Sequence, residues 1–180
     1  MKIFLIGYRC TGKTTIGQIL AKSILIDFID IDQIIEKESK LNIALIVKKY
    51  GWDYFRSLEK KALFNTKYSD NLIVATGGGI VMDHENLNFI KNSGFCIWLD
   101  ADIKTILKRL QNDAQTALSR PSLTDNTLLE ETKKLLNSRK PLYEKSSHMK
   151  IDTAGKTPHK IVNIIEKGLK DVRQHHRQSI

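Results

Sequence analysis

The chain has 180 residues, of which 41% are hydrophobic and 27% charged, as expected for one globular domain with a single substantial core. No apolar run approaches the ~20 residues of a membrane helix, no cleavage site follows the N-terminal run, and two cysteines imply no disulfide framework, so we expect a cytoplasmic protein without a membrane partner. The formal net charge is +9, but the basic residues are scattered without interleaved aromatic residues, and we expect no nucleic-acid partner.

Apolar runs alternate with amphipathic segments along the chain. The runs predict five strands, over Ile3–Ile6, Leu25–Ile31, Leu72–Ala75, Phe95–Leu99 and Met149–Ile151. The amphipathic segments predict helices, over Thr15–Ser23, Leu45–Thr66, Glu85–Lys91, Ile103–Leu110, Leu128–Leu136 and His159–Leu169. This alternation predicts an α/β fold with a doubly wound, five-stranded parallel sheet, helices on both faces, and a single domain over residues 1–180.

Two segments are longer than simple connections require. The second and third predicted strands are separated by more chain than one crossover helix needs, so residues of about 33–61 predict a helical, substrate-binding insert. The polar segment that begins at Gln111 and ends in Arg120-Pro121 predicts a loop, and we expect a lid over residues of about 111–125.

The first predicted strand runs into a phosphate-loop motif. Residues 7–15, Gly-Tyr-Arg-Cys-Thr-Gly-Lys-Thr-Thr, fit G-x-x-x-x-G-K-[ST] between a strand and a helix. Gly7 and Gly12 allow backbone N–H groups to point at a phosphate, beside the positive end of the following helix. Lys13 can reach the β- and γ-phosphates and Thr14 can ligate Mg²⁺. The alternative is a glycine-rich turn whose lysine is only solvated. Such a turn requires neither a strand before it nor a helix after it, and both are predicted here, so we expect nucleoside-triphosphate binding.

Two further motifs follow the next strands. The second predicted strand ends in Asp30-Ile31-Asp32, and strand alternation would place both carboxylates on one side, where a phosphate-bound Mg²⁺ would offset their repulsion. The alternative is that one of the pair caps a helix that starts near Gln33, and capping by Asp32 would be compatible with a functional Asp30. After the third strand, the glycines at 77–79 can expose backbone N–H groups to a small polar ligand, although a flexible turn gives the same pattern.

Arginines supply the remaining candidates. Arg56 and Glu59 lie three residues apart on a predicted helix, either as an exposed ion pair or with Glu59 orienting Arg56 toward a substrate carboxylate. Arg120 lies in the expected lid, where an arginine could stabilise charge on a transferring phosphoryl group. Arg139 lies in the segment Ser138-Arg139-Lys140-Pro141, and a solvated basic residue is the alternative for both arginines.

These motifs, in this order, resemble the shikimate kinase family over the chain as far as about Pro158. The matching segments are residues 7–15, 30–36, 55–59, 75–79, 120–121 and 139–143. The phosphate loop is generic, whereas D-x-D, F-R-x-x-E and three glycines at these separations are specific to the family. The chain has Cys10 where family loops usually have glycine, and Trp52 where the family often has glutamate.

The resemblance implies that a monomer transfers the ATP γ-phosphate to the 3-hydroxyl of shikimate in aromatic amino-acid biosynthesis, with Mg²⁺ as cofactor and with ATP and shikimate as partners. It implies catalytic roles for Lys13, Asp32 and Arg120, with Asp32 either deprotonating or only orienting the hydroxyl. The implied ATP-binding residues are Gly7, Cys10, Thr11, Gly12, Lys13, Thr14, Thr15, Arg109, Arg120 and Lys156. The implied shikimate-binding residues are Asp32, Arg56, Glu59, Gly77, Gly78, Gly79 and Arg139, and the implied metal-binding residues are Thr14 and Asp30.

Two other functions are compatible with parts of the sequence. A gluconate kinase or another small-metabolite kinase shares the phosphate loop and the fold, but does not predict F-R-x-x-E together with the three glycines. A non-enzymatic nucleotide- or RNA-binding module would use the basic surface, but does not require the combined set of Lys13, Asp32, Arg56, Arg120 and Arg139. The sequence therefore favours the shikimate kinase reaction.

Overall fold

The computed structural model describes residues 1–112 and 127–178. Its strands are β1 (Lys2–Ile6), β2 (Asp27–Asp30), β3 (Leu72–Ala75), β4 (Phe95–Asp100) and β5 (Met149–Asp152). Its α-helices are α1 (Lys13–Ile24), α2 (Ile31–Ser39), α3 (Ile43–Asn65), α4 (His84–Ser93), α5 (Ile103–Asn112), α6 (Leu128–Ser146) and α7 (Pro158–Gln178). Short 3₁₀ turns follow α3 and β3, at Thr66–Tyr68 and Ile80–Met82.

The five strands form one parallel sheet in the order β2-β3-β1-β4-β5. In the register of the central strand, Phe4 lies opposite Val74 on one side and Cys96 on the other. The predicted doubly wound sheet is therefore confirmed. Because all strands run the same way, the segments that follow β1, β2 and β3 emerge at the same edge of the sheet.

Helices cover both faces of the sheet. Phe4 and Ile6 of β1 face a core built with α3, α4 and α6, whereas Ile3 and Leu5 face a core built with α1 and α7. Burial on both faces explains why the three inner strands, β1, β3 and β4, are nearly continuous apolar runs, whereas the edge strands β2 and β5 include exposed polar residues. None of the helices within residues 1–112 and 127–178 has the length and apolarity needed to cross a bilayer.

The second strand differs from its prediction in a way that matters for the site. Leu25 ends α1 in a left-handed conformation (φ 57°) and is 90% exposed, so the strand starts only at Asp27. The Asp30 carboxylate accepts hydrogen bonds from the backbone N–H groups of Asp32 (2.9 Å) and Gln33 (3.4 Å), and α2 starts at Ile31. The expectation of strand alternation through Asp32 was wrong because Asp30, a favourable N-cap residue, ends the strand, and Asp32 is not the cap.

Two further boundaries differ. Helix α6 continues past the predicted end at Leu136 to Ser146 and includes Pro141. Gln111 and Asn112, predicted to begin the lid, are the last residues of α5. The rest of the lid prediction, including Arg120, lies outside the described residues.

Helices α2 and α3 contain the residues of the predicted insert. Helix α3 is interrupted at Gly51, whose φ of 83° and ψ of 170° are not helical. This conformation is open essentially to glycine alone, and it gives the two parts of α3 different directions. The second part contains Arg56 and Glu59, so the kink sets where these side chains lie.

Replacing Gly51 with alanine tests this role of the kink. A Cβ at Gly51 would meet no atom within 4 Å, so the effect of Gly51→Ala comes from the backbone conformation. We expect the free energy of unfolding, measured by urea denaturation, to fall by about 1–3 kcal/mol. The exposed, helical Lys48 provides the control, because Lys48→Ala should change stability by less than about 0.5 kcal/mol. Equal stability of the two variants would contradict the role given to Gly51.

Candidate active site

Two adjoining cavities lie at the carboxyl edge of the sheet. The larger, of about 640 Å³, surrounds the phosphate loop and the start of α1. The smaller, of about 50 Å³, lies between α3, the glycine run after β3, and α6. Arg9 and Asp32 line both cavities, so the two spaces meet at these side chains.

The phosphate loop closes tightly on itself. Gly7 (φ 141°), Cys10 (φ 60°) and Gly12 (φ 95°) all have positive φ. The Lys13 ammonium group donates hydrogen bonds to the carbonyl oxygens of Gly7 (3.0 Å) and Tyr8 (2.8 Å). Except for Gly7, which forms the turn after β1, the predicted ATP-binding residues of the loop, Cys10 to Thr15, line the larger cavity. The loop N–H groups and the start of α1 make this cavity suitable for phosphate.

A pair of hard oxygen ligands lies beside the loop. The Thr14 hydroxyl donates a hydrogen bond of 2.6 Å to Oδ2 of Asp30, and both residues line the larger cavity. Within residues 1–112 and 127–178 there is no cluster of three or more His, Cys, Asp or Glu side chains that could hold a metal. This donor set fits Mg²⁺, which proteins commonly bind through one or two side chains together with water and substrate phosphates.

Arg109 and Lys156 also line the larger cavity. The Arg109 guanidinium donates hydrogen bonds to the carbonyl oxygen of Cys10 (3.1 Å) and to the hydroxyl (3.0 Å) and carbonyl (2.8 Å) oxygens of Thr153. Lys156 contacts the Asp152 carboxylate at 3.4 Å. Arg109 thus connects α5, the phosphate loop and the segment after β5.

An arginine–glutamate pair forms one wall of the smaller cavity. The Arg56 guanidinium donates a hydrogen bond to the Glu59 carboxylate, and Glu59 is only 1% exposed. Burial raises the pKa of the Glu59 carboxyl, and the charges of Arg56 and Arg139 oppose that shift. The Arg56 side chain remains one-third exposed, so a ligand can reach it. The structure therefore supports the view that Glu59 orients Arg56, over the alternative of an exposed surface pair.

Side-chain packing, which the sequence does not reveal, favours glycine in the run after β3. A Cβ at Gly77 would collide with the Glu59 carboxylate, and a Cβ at Gly79 would lie 2.5–2.6 Å from the nitrogens and central carbon of the Arg56 guanidinium. Packing against the side chains of Arg56 and Glu59 is therefore one reason for glycine at positions 77 and 79.

Helix α6 provides the opposite wall. Arg139, only 7% exposed, donates a hydrogen bond to the carbonyl oxygen of Gly78 at 3.3 Å, and the Tyr143 hydroxyl donates to the same oxygen at 2.5 Å. Burial raises the pKa of Tyr143, which keeps its hydroxyl a donor. The Nε–H of Arg139 is buried and has no acceptor among the described residues. Arg139 as a whole lines the smaller cavity, which places its positive charge beside any ligand bound there.

Several lining residues were not among the predicted site residues. The central carbon of Arg56 lies 5.3 Å from the ring of Trp52 and 5.4 Å from that of Phe55. Tyr8, Arg9 and Ile43 also line the smaller cavity. Tyr8 and Arg9 occupy variable positions of the phosphate-loop motif, so the motif carries no information about them. The aromatic residues just before Arg56 were a signal that sequence reasoning could have used.

A phosphate loop after the first strand of this sheet, beside a second cavity lined with arginines, defines a phosphate-loop kinase for small molecules. The family model described as shikimate kinase matches residues 9–170. The chain belongs to the shikimate kinase family.

Similar proteins cover nearly the whole chain. A shikimate kinase from Persephonella marina is 40% identical over 163 residues, which cover 91% of this chain and 95% of the relative. The structure of an Acinetobacter baumannii shikimate kinase in complex with shikimate has a TM-score of 0.88 and 29% identity, and covers 94% of this chain and 93% of that chain. A shikimate kinase structure from Aquifex aeolicus has a TM-score of 0.81 and 33% identity, with coverages of 97% and 99%.

The conformation of Cys10 predicts an unusual pattern of stability. At a φ of 60°, a residue with a Cβ is strained by about 1–2 kcal/mol, and a β-branched residue by more. Cys10→Gly should keep or raise the free energy of unfolding, by up to about 1 kcal/mol, because relief of strain exceeds the added entropy of the unfolded chain. Cys10→Val should lower it by at least about 1 kcal/mol. Urea denaturation measures both, and a Cys10→Val variant as stable as Cys10→Gly would contradict the assignment of strain.

Proposed function

We propose that this chain transfers the γ-phosphate of ATP to the 3-hydroxyl of shikimate. One observation carries the proposal: a cavity walled by Arg56 and Arg139 adjoins the phosphate-loop cavity, and Asp32 lines both. Phosphoryl transfer requires chiefly that donor and acceptor are held in line and that their charge is neutralised. Two adjoining cavities with a carboxylate at their junction meet both requirements.

The smaller cavity is chemically complementary to shikimate, which has one carboxylate and three hydroxyls. We assign the carboxylate to Arg56 and Arg139, because guanidinium groups bind carboxylates through paired hydrogen bonds. The Asp32 carboxylate and the backbone at Gly77, Gly78 and Gly79 are assigned to the hydroxyls. Glu59 holds Arg56 in place and does not itself need to touch the substrate.

The larger cavity is assigned to ATP. Lys13 and the loop N–H groups are assigned to the phosphates, and Arg109 and Lys156, which line the same cavity, are assigned to the adenine end of ATP from the family resemblance. Thr14 and Asp30 are the residues assigned to Mg²⁺, which supplies neutralisation of charge on the β- and γ-phosphates when bound. Arg120 is assigned to the same phosphates from the family resemblance alone, because it lies outside the described residues.

Asp32 is placed to act on the attacking hydroxyl. Its carboxylate lines both cavities and can accept a hydrogen bond from that hydroxyl, which orients the oxygen toward the γ-phosphorus. The same carboxylate can accept the proton when the new bond to phosphorus forms. Closure over both cavities would keep water from accepting the phosphoryl group.

A comparative ADP-release assay tests the function. With Mg-ATP, we expect shikimate to support ADP release at least about 100-fold faster than gluconate or AMP, because only shikimate combines a carboxylate with ring hydroxyls in the required arrangement. Phosphorus–proton coupling in the NMR spectrum of the product should place the phosphate on the 3-hydroxyl. EDTA should abolish the activity and excess Mg²⁺ should restore it.

Three outcomes, from this assay and from a parallel RNA-binding measurement, would change the assigned function or its metal. Faster turnover of gluconate would favour a gluconate kinase. The likeness to a Sinorhizobium meliloti gluconokinase structure (TM-score 0.61, 14% identity) shows only a shared fold and does not itself support that reaction. Salt-sensitive RNA binding without ADP release would favour a binding module. Undiminished ADP release in EDTA would contradict the metal assignment.

The two cavities predict separable kinetic effects. Arg56→Ala should raise the KM for shikimate at least about tenfold, with little change in the KM for ATP, because a charge-assisted contact to the carboxylate is lost. Lys13→Ala should instead lower kcat by at least about 100-fold. Shikimate methyl ester supplies the control: the ester has no charged carboxylate, so Arg56→Ala should affect its KM far less. An unchanged KM for shikimate in Arg56→Ala would contradict the assignment of Arg56.

A further inference from the structure

Arg9, at a variable position of the phosphate loop, is a buried cation at the junction of the two cavities. Its side chain is 12% exposed, and Nη2 donates a hydrogen bond of 2.7 Å to Oε1 of Glu131, which is 1% exposed. The Arg9 guanidinium carbon lies 5.6 Å from the centre of the Tyr8 ring. These contacts hold the guanidinium in one place.

The partner of Arg9 comes from the helix that also carries Arg139. Glu131 lies in the first turns of α6, and Arg139 lies eight residues later, on the same side of the helix. The Arg139 guanidinium carbon is 5.9 Å from the Tyr8 ring centre, so Tyr8 lies close to both guanidinium groups. The Arg9–Glu131 pair therefore joins the phosphate loop to the helix that walls the smaller cavity.

The pair leaves part of the Arg9 guanidinium available. A guanidinium has five N–H donors, and the Nε–H of Arg9 is buried without an acceptor among the described residues. Arg9 lines both cavities, and a guanidinium that Glu131 engages at Nη2 keeps further N–H donors for the group that passes between them.

We propose that Arg9 is a further catalytic residue, which donates hydrogen bonds to the phosphoryl group during its transfer, and that Glu131 is its positioning residue. This inference rests on the proposed function. In the transfer, the bond from the γ-phosphorus to the bridging oxygen of ATP breaks and the bond to the attacking hydroxyl oxygen forms. The hydroxyl proton goes to Asp32 or, where Asp32 only orients the hydroxyl, to an oxygen of the transferred group. ADP leaves, and Arg9 stays charged and exchanges no proton.

A purely structural role for the pair makes different predictions. Removal of Arg9 alone would leave the Glu131 carboxylate buried without this partner and would destabilise the fold. Glu131→Gln in the same chain would then remove the buried charge that has lost its contact with Arg9, and would restore both stability and activity. A catalytic role instead predicts that stability recovers in the double variant while the activity does not.

The experiment compares Arg9→Met, Glu131→Gln and the double variant with the unaltered chain. Lys22→Met is the matched control, because it removes one positive charge in the last turn of α1, away from the loop. The measurements are unfolding in urea, kcat, the KM of each substrate, and the affinity for ADP with aluminium fluoride and shikimate, a mimic of the phosphoryl group in transfer. A contact made only during transfer alters kcat and binding of the mimic, but not the KM values.

We expect kcat to fall about 100-fold in Arg9→Met and in the double variant, with mimic affinity falling in parallel and both KM values within about threefold. Glu131→Gln should lower kcat about five- to tenfold in the unaltered background and have no further effect when Arg9 is Met, because it acts through Arg9. Lys22→Met should leave kcat unchanged.

Two results would overturn the inference: kcat within about threefold of the unaltered chain in the double variant, or a loss of kcat without a parallel loss of mimic affinity. If Arg9→Met alone does not fold, the double variant still gives the deciding comparison. Failure of the unaltered chain to phosphorylate shikimate would instead defeat the proposed function, so the two failures are distinguishable.

Discussion

The parallel arrangement of the sheet is the constraint on which the rest of the site depends. Because β1, β2 and β3 are adjacent and point the same way, the segments after them emerge side by side. The phosphate loop, the Asp30 cap and the glycine run are far apart in sequence but meet at this edge. Each of these segments supplies its functional groups through a short local motif. The sheet itself brings the three segments together, so no long loop is required to join them.

Buried charge is managed by pairing, within α3 for Arg56 and Glu59 and between elements for the other pairs. Glu59 is compensated by Arg56 and lies near Arg139, Glu131 is compensated by Arg9, and Thr14 satisfies one oxygen of Asp30. Isolated charges would be very costly at this burial, so each pair both stabilises the fold and orients a group toward a cavity. The glycines at 77–79 make one of these pairs sterically possible. Positions that look permissive in the sequence are therefore tightly constrained by packing.

The family relationship and the geometry support the same function through independent observations. The family model extends over residues 9–170, while the two cavities meet at Arg9 and Asp32. Two features distinguish this chain from the usual family pattern. Cys10 adopts a left-handed conformation where glycine would be unstrained, and Trp52 packs against the Arg56 guanidinium. Both features alter the walls of a cavity without removing any of the charged groups assigned to the reaction.

The amino-acid sequence by itself determined the strands and helices, the parallel sheet and the phosphate loop, because apolar runs and the spacing of G-x-x-x-x-G-K-T are local properties. It also identified Arg56, Glu59 and Arg139 as candidates, through motifs. Which of Asp30 and Asp32 caps α2 is settled by a hydrogen bond between residues two positions apart, a local choice that the strand pattern did not resolve. Only the tertiary structure decided that Glu59 packs against the glycine backbone and that Arg9 joins Glu131. These contacts join residues up to 122 positions apart, and no periodicity in the sequence encodes such distances.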